Sequence, residues 1–108
     1  MRKYLTFKSV GGGAGNNNEA GEYALSIDDI LGLGSANATI LSLLIQNPFD
    51  GSSEAATAIT FNVTGTNGGV VLYEALMEQI AAAPGGNFDF IMPEGIAITG
   101  FEYASFIV

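Results

Sequence analysis

The chain has 108 residues, of which 48% are hydrophobic and only 13% charged; its net charge is −8, and it holds neither cysteine nor histidine. That length gives one domain, residues 1–108, and the missing residue types exclude a disulfide framework, thiolate chemistry and the commonest general base and metal ligand. An acidic body with no basic patch repels phosphate backbones and anionic headgroups, so neither nucleic acid nor a membrane is an expected partner.

All three basic residues, Arg2, Lys3 and Lys8, stand in the first eight positions. Met1-Arg2-Lys3 begins like a signal-peptide n-region, but the apolar run Tyr4–Phe7 stops at Lys8, so no h-region is expected. Tyr4–Val10 reads instead as a first strand, with Leu5 and Phe7 on one face. Gly11–Asn18 (GGGAGNNN) reads as a flexible Gly/Asn loop. Tyr23–Ile27 alternates with Tyr23, Leu25 and Ile27 on one face, until Asp28-Asp29 interrupts it.

Leu31–Phe49 is uncharged and long enough for a membrane span, but its Gly, Asn, Gln and Pro residues fit buried strands better. Within it, Thr39–Gln46 is apolar at both parities, which predicts a central strand covered on both faces. Asn47–Glu54 reads as a loop, and Ala58–Thr64 as a strand with Ile59, Phe61 and Val63 facing inward. Val70–Ala83 is the expected helix: Leu72, Ala75, Leu76, Ile80 and Ala83 recur at helical spacing, Glu74 and Glu78 lie on another face, and Pro84-Gly85-Gly86 ends it.

Phe88–Met92 and Ile96–Ile107 read as strands joined by Pro93-Glu94-Gly95, a tight turn with glycine where φ is positive. In the last strand Ile96 and Ile98 have one parity, while Phe101 and Tyr103 have the other. A bulge at Gly100 would return both sets to the core side. The expected fold class is α+β, mostly β: a small antiparallel sheet or sandwich of about five to seven strands with one α-helix at about 70–83.

Catalytic constellations are missing. There is no Ser-His arrangement, so the expectation is that the chain is not an enzyme and carries no cofactor. Gly11–Gly15 lacks the lysine and the following helix of a phosphate loop. Asp50, Ser52 and Glu54 alternate in a loop as calcium ligands do; Asp50 and Glu54 are the weak metal candidates, and three oxygens on one loop need another segment to complete a site. The sequons Asn37-Ala38-Thr39 and Asn62-Val63-Thr64 are read as chance matches, and the tyrosines as packing residues.

An apolar surplus in so short a chain is most simply buried by self-association. The interface candidates are Phe101, Tyr103, Phe106 and Ile107 of the hydrophobic C-terminal strand. Arg2 and Lys3 join them, as a basic end able to meet the acidic body of a neighbouring subunit.

Several segments together resemble small virion-associated proteins of marine tailed bacteriophages. They are the opening Met1-Arg2-Lys3-Tyr4-Leu5 strand, the strand Thr57-Ala58-Ile59-Thr60-Phe61, the single Ala-rich helix, and the closing Pro93-Glu94-Gly95-Ile96-Ala97-Ile98-Thr99. The Gly11–Asn18 segment is longer than that group suggests, and no functional residue carries over from it. The resemblance implies a capsid decoration (cement) or minor head protein. Such a protein would form a homo-oligomer, a trimer being favoured, dock on a larger partner such as the major capsid protein, and reside in the virion after assembly in the host cytoplasm. Two alternatives stand beside it: a receptor- or glycan-binding knob using the loops 11–18 and 47–54, and an assembly factor absent from the mature particle.

Overall fold

Alternating apolar residues build one face of a sheet, and a single amphipathic helix covers that face. In the computed structural model, which describes residues 3–15, 17–45, 58–82 and 87–104, β1 (Tyr4–Ser9) buries Leu5, Phe7 and Ser9, and β2 (Gly21–Ser26) buries Leu25. A one-turn 3-10 segment, Ile27–Asp29, leads into β3 (Ile30–Ala36), and β4 (Ile40–Ile45) follows. Next come β5 (Ala58–Thr64), helix α1 (Gly68–Ala82), the two-residue β6 (Phe88–Asp89) and β7 (Ala97–Ala104).

The strands form one open sheet in the order β2-β1-β7-β5-β4-β3, with β6 beside β1. The class is α+β, mostly β, with one helix, as the sequence patterning predicts. The expected antiparallel sheet or sandwich is corrected to one mixed sheet: β1 pairs in parallel with β6 and β7, while the other pairings are antiparallel.

Leu72 and Leu76 of α1 are buried against the sheet, Ala75 and Ile80 pack beside them, and Glu74 and Glu78 are exposed, as the helical spacing requires. Under the helix lie Leu41, Leu43 and Ile45 of β4 and Ile59, Phe61 and Val63 of β5. Among the described residues, the one helix covers one face. The reading of 39–46 as a strand covered on both sides is therefore corrected: Leu44 is 40% exposed, because its cross-strand neighbours Gly32 and Ala58 are too small to shelter it.

The last strand solves its parity conflict with the expected bulge. Asn62 pairs with Gly100 and Val63 with Ile98, so Thr99 is the extra residue. Ile98 and Phe101 are both buried as a result, and Tyr103 packs against the same core. Before it, Ile96 N–H donates to the Pro93 carbonyl at 3.1 Å, and Gly95 has φ +79°, the left-handed position of a type II turn.

Phe88–Met92 keeps strand pairing only at Phe88–Asp89. Beyond it, Gln79 of α1 captures Ile91 on both sides, its Oε1 accepting from Ile91 N–H at 2.8 Å and its Nε2 donating to the Ile91 carbonyl at 2.7 Å. Those backbone groups are thus unavailable to the sheet, and the Ile91 side chain is left 75% exposed.

The Gly/Asn segment between β1 and β2 lies along β7. Gly13 N–H donates to the Thr99 carbonyl at 3.0 Å, and Asn17 and Phe101 exchange both backbone hydrogen bonds at 3.0 and 3.1 Å. Asn62 Nδ2 donates to the Ala14 carbonyl at 2.8 Å. Gly100 permits this approach, since a Cβ there would lie 2.5 Å from the Ala14 oxygen.

Candidate interaction surface

Phe101 is not available to a partner. It is buried at the centre of an aromatic cluster, edge-on to Phe7 (5.4 Å between centroids), Tyr23 (4.8 Å) and Tyr103 (6.2 Å). Its place among the interface candidates is corrected: the bulge at Thr99 turns it into the chain's own core. Tyr103 is half-buried at the edge of that core. Lys3 is exposed, and its backbone N–H donates to the Asp28 carboxylate at 3.0 Å. Arg2, Phe106 and Ile107, like Asp50 and Glu54, lie outside the described residues. The described residues contain no cluster of three or more acidic side chains placed to hold a metal ion, and no helix long and apolar enough to cross a membrane.

Two clefts of about 360 Å³ open on the molecule. One lies between β1 and the arch joining β6 to β7. Thr6, Lys8, Glu22 and Asp89 line it beside Phe90 and Met92. Thr6 Oγ1 donates to Asp89 Oδ1 there, and Lys8 and Glu22 face each other across the β1–β2 pair. Its charged groups are one ammonium and two carboxylates, so the wall keeps an excess negative charge. The other cleft is bordered by Tyr4, Ser26, Asp29 and Tyr103. Burial of Tyr103 raises its phenol pKa, and the nearby Asp29 carboxylate raises it further. The phenol therefore stays protonated at neutral pH.

The apolar surface that sequence reasoning did not single out is at the far edge of the sheet. Leu31 is 65% and Leu33 42% exposed on β3; Leu33 pairs with Leu43, so Leu44 of β4, opposite Gly32, lies on the other face of the sheet. Ile30–Ile45 and Ala58–Thr64 contain no Asp, Glu, Lys or Arg, whereas β1, β2, β6 and β7 carry Lys8, Glu22, Asp89 and Glu102. Among the described residues, no strand borders β3 on the side away from β4. The signal was legible as a long uncharged run, but its exposure depends on strand order.

No known protein family, no curated protein and no solved structure matches the chain.

Proposed function

We propose that this chain is a non-enzymatic structural protein of a phage virion, a capsid decoration or minor head component that self-associates and docks on a larger shell. One observation carries the assembly part of this reading: a protein of net charge −8 keeps three adjoining strands free of charge and ends them in an apolar edge. Surface charge deters association between like-charged bodies, so its absence from one continuous region marks where contact costs least. Edge strands ordinarily carry lysine, proline, inward-pointing charge or bulges to prevent pairing; β3 carries no lysine, proline or charge, and two register shifts interrupt it. The virion assignment rests on the sequence resemblance.

The knob alternative gains nothing from the segment 11–18, whose backbone is engaged by β7. Mass spectrometry of purified particles tests the virion reading, with the chain expected at high copy. A finished particle that lacks it would sink the reading. A cement role further predicts that particles stripped of the chain lose heat resistance and regain it on adding the purified protein.

A further inference from the structure

We infer that β3 is a self-pairing edge, joining the β3 of a second copy antiparallel about a two-fold axis so that one sheet runs through both molecules. The inference rests on the self-association just proposed and names its surface and geometry.

A strand edge presents backbone N–H and C=O groups in a row, so the occupant that satisfies them is another extended strand. Because the chain is acidic, that strand must approach where neither partner places carboxylates. β3 itself meets both conditions, since Ile-Leu-Gly-Leu-Gly-Ser-Ala is extended, uncharged and apolar at Leu31 and Leu33. Antiparallel pairing of identical strands is isologous, each copy giving and receiving the same contacts.

Two features limit such an assembly. The opposite edge of the sheet, β2, carries the exposed Glu22, so a second round of edge pairing sets carboxylate near carboxylate. The register shifts of β3 between Ile30 and Gly32 and between Leu33 and Ser35 bend the strand and shorten the straight stretch on offer. The product is a pair, in place of the trimer that the resemblance implies.

The absence of native cysteine makes a disulfide scan clean. Symmetric antiparallel pairing places one residue opposite its own copy at about 4.5–5.5 Å between Cα atoms, within disulfide reach. Single cysteines from Leu31 to Ser35 are expected to give a covalent dimer on mild oxidation at the position nearest the axis. Ala24→Cys on the exposed part of β2 should stay monomeric on a non-reducing gel. By light scattering the native chain should show twice its own mass, and Leu33→Lys should halve that mass while leaving the circular dichroism unchanged.

A native monomer at every concentration overturns the pairing and the self-association beneath it. An oligomer that persists in Leu33→Lys, or that crosslinks through Ala24→Cys and not through β3, overturns this edge alone. Absence of the chain from particles would remove the virion role and leave the pairing standing.

Discussion

The two halves of the sheet share one core yet face solvent differently. On the helix side, β1, β2 and β7 contribute Leu5, Phe7, Leu25, Ile98 and Phe101, and β5 and β4 contribute Ile59, Phe61, Val63, Leu41 and Leu43, all buried. On the opposite side, Thr6, Lys8 and Glu22 occupy the first half, while Ser42, Thr60 and Asn62 occupy the second. Ser42 and Thr60 are joined through their hydroxyls at 3.3 Å. Exposed charge contributes little to folding stability, so this division is not needed for the fold. It governs what each half tolerates next to it.

The comparison can be broken most severely at the seam, because β7 joins the halves. Phe101→Ala removes the ring that contacts Phe7 and Tyr23 on one side and Phe61 on the other. A loss of about 3–5 kcal/mol is expected for a buried aromatic, read from denaturant midpoints. Unchanged stability would mean that the halves hold independently.

Gly100→Ala acts on the strap that runs from β1 along β7 to Asn62 of the neutral half. Its methyl would meet the Ala14 oxygen, and a cost of about 1–3 kcal/mol is expected from overpacking. Amide exchange should localise the loosening to residues 11–18. If protection there matches the native chain, the strap is not held by this approach.

Tyr103→Phe sharpens the comparison with the smallest effect, read from the alkaline limb. Its phenol pKa is raised in the folded state, mainly by burial and further by Asp29. The unfolded chain therefore releases that proton first, above about pH 10, and the folded state loses stability as pH climbs from there to the folded pKa. The variant should show a flatter alkaline limb in denaturation than the native chain. Equal limbs would place the alkaline sensitivity elsewhere.

Much of the architecture was legible in local pattern. The alternation of Ile59, Phe61 and Val63, the spacing of Leu72 and Leu76, and the Pro93–Gly95 turn each follow from nearest-neighbour geometry. Even the bulge beside Gly100 was implied, since two aromatics of the wrong parity can reach the core only if one residue is skipped. The candidate surface was less legible. Phe101 and Leu33 are both apolar residues in strands, and local sequence does not separate the one that is buried from the one that is exposed.

The sequence by itself determined the kinds of element, the inward face of most strands, the concentration of basic residues at one end and the poverty of catalytic side chains. Burial and periodicity are short-range properties, written within a few residues of each position. Tertiary structure alone decided the order of the strands. That order put β7 between β1 and β5 and left the uncharged β3 at an edge. It also laid the Gly/Asn segment along β7 and let Gln79 hold Ile91 out of the sheet. These are pairings between residues far apart in sequence, selected by the competition of whole faces for one core, which no local pattern records.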